Sequence, residues 1–178
     1  MSIQFSGFVK LLFLAAWLAV MVARGQPYSV DHTPLLPDAK LTPGGVMTNV
    51  TVEQLCQKGY ANVLHGGARN VSAKVHRQVF INYFGRVPDK PGLWEVDHLV
   101  SIEIGGDNSI SNLWPQTYST TTTWNARTKD KLENRLAKLV RDELKARGHD
   151  AATALLARLQ AEVAANWTNA YTRYLGKP

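Results

Sequence analysis

The stretch from Trp94 to Lys131 constrains this chain more than any other part of it. Asp97 and His98 stand side by side near the end of a β-type run, Leu93–Val100, and a glycine turn follows at Gly105-Gly106-Asp107-Asn108. Asn112 precedes the apolar pair Leu113-Trp114, and after a threonine-rich loop, Ser119–Thr123, Asn125 opens a long helical pattern. The expected order is therefore strand, tight turn, second strand, helix. A carboxylate, an imidazole and two carboxamides are the groups that hold a divalent cation and activate water for phosphodiester hydrolysis.

The helix supplies a test of that geometry. From Ala126 to Arg147 the apolar positions Leu132, Leu136, Leu139, Val140 and Leu144 form one stripe, and Gly148 ends it. Extending the stripe backwards by three, four and seven residues reaches Lys129, Thr128 and Asn125, so these point inward, whereas Arg127, Asp130 and Lys131 fall off the face. If that face packs on the Asp97-His98 hairpin, Asn125 converges with them. Downstream, Asp150 is expected to cap a last helix with Leu155, Leu159, Val163, Trp167 and Tyr174 inside. Upstream, Thr51-Val52-Glu53-Gln54 has capping-box spacing for a short helix running to Cys56 and stopping at Gly59. His65-Gly66-Gly67 reads as a turn, and a helix fits Ser72–Phe84, with Val75, Val79 and Tyr83 on one face and Gly85 ending it.

The ends of the chain read differently. Met1–Gly25 has the form of a cleavable export leader, with an uncleaved N-terminal anchor helix as the alternative: Lys10, then an uncharged apolar run, then small residues at Ala23 and Gly25. Removing it lowers the twenty lysines and arginines to eighteen against fourteen acids, a net charge of about +4. That surplus suits a polyanionic partner. Residues 26–45 carry four prolines and are expected to form an extended lead-in, with the domain proper at 46–178. The expected location is secreted or periplasmic, with no membrane contact after the leader is removed. Cys56 is the only cysteine, so no intrachain disulfide forms and the core must carry stability.

At these residues the sequence resembles the His-Asn-His (HNH) endonuclease family, whose fold is the ββα-metal finger. The resemblance rests on Asp97-His98, the Gly105-Gly106 turn, Asn112-Leu113 and Asn125 in that order. The runs Glu95-Val96-Asp97-His98-Leu99, Asn112-Leu113-Trp114-Pro115-Gln116 and Lys129-Asp130-Lys131-Leu132-Glu133-Asn134 are similar to a group of exported bacterial HNH proteins. The similarity extends from about Leu41 to Tyr174. It implies an α+β, mostly helical single domain around the hairpin-plus-helix core. Asp97 would bind metal, His98 would be the general base, and Asn112 would brace the loop and keep His98 oriented. Asn125 would be the second metal ligand, with Thr121 or Arg127 as alternatives for that position. Two hard oxygen ligands suit Mg²⁺ or Mn²⁺. The family also implies a product carrying a 5′-phosphate. This chain lacks the zinc-ribbon cysteines of many HNH domains, and Arg141 stands where relatives often have a second cysteine.

Other residues carry plainer readings. Glu95 and Glu103 alternate with apolar neighbours and read as solvent-facing. Trp94, Trp114 and Trp124 read as core around the hairpin. His32, His65, His76 and His149 lack metal-ligand spacing. Of the basic residues on the long helix, Lys129 and Arg127 are the candidates for phosphate contact. The expected activity is metal-dependent hydrolysis of DNA, or RNA, with low sequence specificity, since no base-reading module is present. The rivals are a non-catalytic nucleic-acid-binding protein on the same scaffold, and an antibacterial nuclease toxin with an inhibitor partner.

Overall fold

The computed structural model describes residues 35–61 and 71–178. The expected leader, the His65-Gly66-Gly67 turn, His32 and His65 lie outside these residues. Six named elements follow one another: α1 (Val52–Cys56), α2 (Ala73–Phe84), β1 (Trp94–His98), β2 (Leu113–Thr117), α3 (Ala126–Arg147) and α4 (His149–Leu175). The fold is α+β and mostly helical, with one two-stranded antiparallel sheet among the described residues.

Local signals set most of these boundaries. Thr51 and Gln54 close the capping box at the start of α1. Ser72 caps α2, and Gly85 ends it at φ 72°, a left-handed conformation that side chains with a Cβ resist. On α3 the stripe emerges in the expected phase: Thr128, Lys129, Leu132, Leu136 and Val140 are buried, while Arg127, Asp130 and Lys131 are exposed. The last helix departs from expectation at its start. Gly148 occupies the cap position with no side-chain bond, and Asp150 sits in the first turn instead. Its buried face runs through Ala152, Leu156, Leu159, Val163 and Trp167, and Asn166 breaks the helical backbone, its Oδ1 accepting from the Thr168 and Asn169 amides at 3.0 Å each.

Leu132, Leu136 and Val140 of α3 share one apolar cluster with Leu156, Leu159, Val163 and Trp167 of α4. Of the three tryptophans expected as core around the hairpin, Trp94 and Trp114 are buried on its strands, whereas Trp124 packs on α4. Trp94 lies against Phe84, ring centroids 5.3 Å apart. Trp114 is buried, and Trp124 meets Trp167 edge-on at 5.5 Å.

The segment before Val46 is part of this fold, which moves the start of the folded unit ahead of the expected boundary. Trp167 Nε1 donates to Leu35 O at 3.0 Å. Thr42 Oγ1 bonds Tyr83 Oη at 2.7 Å and donates to Leu113 O at 2.9 Å. Gly44 N donates to Ser111 O and Asp107 N to Gly45 O, both at 3.1 Å. These bonds fasten the lead-in to α4, to α2, to the start of β2 and to the loop between the strands. Cys56 is a free, half-buried thiol, its pKa raised by burial, and Arg141 shares a cavity wall with it.

Among the described residues, no helix is long and apolar enough to cross a membrane.

Candidate active site

The hairpin register is Trp94↔Thr117, Glu95↔Gln116, Val96↔Pro115, Asp97↔Trp114 and His98↔Leu113. Leu99 N donates to Asn112 O, and Tyr118 N donates to Leu93 O. By the alternation of an antiparallel pair, residues 95 and 97 then turn their backbone groups towards β2, and residues 94, 96 and 98 turn theirs outward. Pro115 sits opposite Val96, where its missing N–H removes no ladder bond. Among the described residues, no strand lies beside the outward edge of β1.

Adjacent residues in a strand project to opposite faces, and Asp97 and His98 do so. They share one cleft because it runs along the open edge of β1. The cleft has a volume of about 450 Å³. Glu95, Asp97 and His98 line it from β1, Asp130 and Glu133 from α3, and His76 and Phe80 from α2, with Tyr118 also in the wall. Glu95 therefore faces the cleft, half-buried, and not open solvent as its alternation suggested.

Lys129 is the centre of the charge arrangement. Its side chain is 1% exposed, and Nζ lies 3.0 Å from Asp97 Oδ2. The same Nζ donates to His98 O at 2.6 Å and to Glu133 Oε1. Burial works against the ammonium, yet Asp97 and Glu133 together hold its pKa above the usual lysine range. Burial pushes the Glu133 carboxyl up, against the pull of Lys129 and with help from the Asp97 charge. Glu95 is raised for the same first reason, burial, and then by Asp97. Tyr118 is pushed up to about 12 by burial and by its hydrogen bond to Glu95. Lys129 thus faces two carboxylates, Asp97 and Glu133; with Glu95 and Asp130 they make four acidic residues lining the cleft, in a chain that is basic as a whole.

The loop between the strands is built around Asn112, 0% exposed. Its Oδ1 accepts from Val100 N at 2.9 Å, and its Nδ2 donates to Val100 O at 3.0 Å and Asp107 O at 2.8 Å. A Cβ on Gly106 would fall 1.7 Å from Val100 O, so only glycine fits where the loop crosses itself. His98 is held by another residue: its Nε2 lies 2.7 Å from Asn108 Oδ1. Asp97 Oδ1 accepts from the His98 amide at 2.7 Å.

Two expected site residues stand elsewhere. Asn125, expected as a metal ligand, caps α3: its Oδ1 accepts from Thr128 N, and its Nδ2 donates to Ser119 O and Thr122 O, each at 3.1 Å. These bonds lie within its own loop and first turn. Lys129, expected to meet phosphate, is buried against Asp97 instead. The inward face of α3 is the expected one, but the group that reaches Asp97 lies one turn further along the helix. Thr121, an alternative for the third position, is exposed and bonded to Ser119 Oγ at 2.8 Å. Arg127 is exposed, its guanidinium 5.7 Å from the Tyr118 ring centroid at the cleft wall.

Glu133, Asn108 and Tyr118 were not read as site residues from sequence, and His76, set aside there for lacking metal-ligand spacing, also lines the cleft. Glu133 carried a usable signal, since it is four residues beyond Lys129 on one helix face. Among the described residues, no group of three or more His, Cys, Asp or Glu is arranged to hold a metal ion. Comparison of the chain with protein-family models, with curated proteins and with solved structures found no match.

Proposed function

We propose that this chain is an exported, metal-dependent endonuclease that hydrolyses DNA, or RNA, with low sequence specificity. The observation that carries the reading is the joint placement of Asp97 and His98 on an acidic cleft open to solvent. A phosphodiester backbone entering a cleft lined by four carboxylates meets repulsion unless cations lie there. A divalent cation removes the repulsion, and a Mg²⁺-type ion keeps several waters and needs only one or two carboxylates besides the substrate phosphate. Asp97, with hard oxygens and only partial burial, fits such an ion, with Glu95 as the neighbouring carboxylate. A closed zinc cage does not fit these residues. When bound, the ion would supply charge stabilisation at the phosphate.

The chain's own residues do the rest. His98 takes a proton from water, whose oxygen bonds phosphorus. The bond to the 3′ oxygen breaks with its electron pair on that oxygen, which takes a proton from solvent, leaving a 5′-phosphate. The imidazolium then returns its proton to solvent. Asn112 holds the loop that carries this chemistry, and Arg127 is placed at the rim to meet a phosphate.

The mature protein incubated with plasmid and Mg²⁺ or Mn²⁺ is expected to cut it, and chelator to stop the cutting. His98→Ala should lower the rate about a hundredfold or more, as expected for a lost general base. Plasmid left intact with every metal would overturn the reading in favour of a non-catalytic nucleic-acid-binding protein. Expression without Met1–Gly25 separates an antibacterial toxin from a scavenging enzyme, because only a toxin requires an inhibitor partner to spare its host.

A further inference from the structure

Asn108 stands in the loop between the strands with its Oδ1 2.7 Å from His98 Nε2. A carboxamide oxygen can only accept a hydrogen bond, so the ring nitrogen facing it carries the proton. In the neutral imidazole the lone pair then belongs to Nδ1. The position of Asn108 is itself fixed on both sides. Asp107 is tied through its backbone to Gly45 O at 3.1 Å and to Asn112 Nδ2 at 2.8 Å. Its carboxylate accepts from Ser109 N at 3.0 Å and from Ser109 Oγ at 2.6 Å. The residues on either side of Asn108 are thus anchored, and its side chain is directed at the imidazole.

We propose that Asn108 is the positioning residue of the site: it selects the Nε2–H tautomer of His98 and makes Nδ1 the atom that takes the proton from water. This rests on the nuclease reading for its purpose, but the tautomer is a property of the resting protein. Asn112 and Asn108 then divide the work. The first holds the loop backbone, and the second holds the ring.

The test is nitrogen-15 correlation spectroscopy of the histidine rings in the full protein, without metal or nucleic acid, above the pH of imidazole titration. The His98 signals are assigned by their loss in His98→Gln. The wild type should show the Nε2–H form, Asn108→Ala a mixture of the two, and Asn108→Asp, which keeps an accepting oxygen, the wild-type form. Turnover should follow: Asn108→Ala loses at least about tenfold in kcat with little change in KM, and Asn108→Asp recovers much of it. A wild-type Nδ1–H ring, or a tautomer unchanged in Asn108→Ala, overturns the proposal without any activity measurement. A wild type that cuts nothing refutes the nuclease reading instead, and the spectrum still decides the hydrogen bond.

Discussion

At its first turns α3 meets the hairpin through charge; further along, the same helix meets α4 through hydrocarbon. Lys129 and Glu133 face Asp97 with their side chains almost wholly buried. Leu136 and Val140, on the same stripe, join Leu159 and Val163 in the apolar cluster. The apolar region gains from every carbon it buries. The charged region must offset the desolvation of several ions, which their mutual attraction repays only when each has its partner. A buried Lys between two carboxylates is an expensive way to join a helix to a sheet. Under the proposed function that cost falls beside His98, while the apolar end of α3 contributes stability.

The comparison predicts two losses of similar size and different character. Lys129→Met keeps the volume and removes the charge, leaving Asp97 and Glu133 without a counter-ion, and should cost about 3–5 kcal/mol in urea unfolding. Adding Glu133→Gln should restore a good part of that. The loss should also depend on pH. Burial already raises the Glu133 carboxyl, and taking away Lys129 raises it further. A folded pKa above the unfolded one means that the folded state holds the proton more tightly. The stability is therefore fully present below about 4.5, the ordinary glutamate value, and is lost as pH rises through the folded value. The variant should be closest to wild type in acid and furthest from it in base. A cost below about 1 kcal/mol at neutral pH would mean that Lys129 is not the buried counter-charge.

Leu159→Ala, at a fully buried position, should cost about 2–5 kcal/mol through lost transfer energy and the cavity left behind. No ionisable group is exchanged, so this loss should be flat across the same pH range, and no neutralising second substitution should relieve it. A pH-dependent loss at Leu159 would blur the distinction between the two regions.

Periodicity made the apolar region legible and left the charged one half read. The stripe on α3 gives the inward face without reference to any partner, because 3.6 residues per turn is a property of the helix alone. It does not say which turn of that face sits over the strand. Asn125 and Lys129 share the face, and only docking against the hairpin shows that Lys129 reaches Asp97. The inward face holds Lys129, but nothing within the helix distinguishes a lysine that meets phosphate from one buried against a carboxylate thirty-two residues earlier. Asn108 was hidden for a related reason: in Gly105-Gly106-Asp107-Asn108 it reads as a turn former, and its bond to His98 crosses ten residues. The capping box fared better at Thr51, where partner and cap lie within one turn. Asp150 had cap chemistry, but Gly148 ends α3 and starts α4 with no room for a separate cap.

Charge at the surface gives the smallest effect and the sharpest contrast with Lys129. His149, at the start of α4, places Nδ1 2.6 Å from Glu53 Oε1 on α1, and both side chains are largely in water. The hydrogen bond to Glu53, then its charge, raises the His149 pKa, and the same bond to His149 lowers that of Glu53. A raised histidine stabilises fully below its ordinary 6.5 and stops as pH rises through the raised value. A lowered glutamate stabilises above its ordinary 4.5 and stops as pH falls through the lowered value. The pair therefore helps most between those two ordinary values, and water screens it to a small contribution. In a proton NMR titration, Glu53→Gln should bring His149 back towards 6.5, with the urea midpoint at about pH 5.5, inside that window, hardly moved. A large midpoint shift there would show α1 joined to α4 by more than a solvated ion pair. An unmoved midpoint, measured where the pair is charged, would leave buried charge, and not charge as such, as what distinguishes the hairpin end of α3.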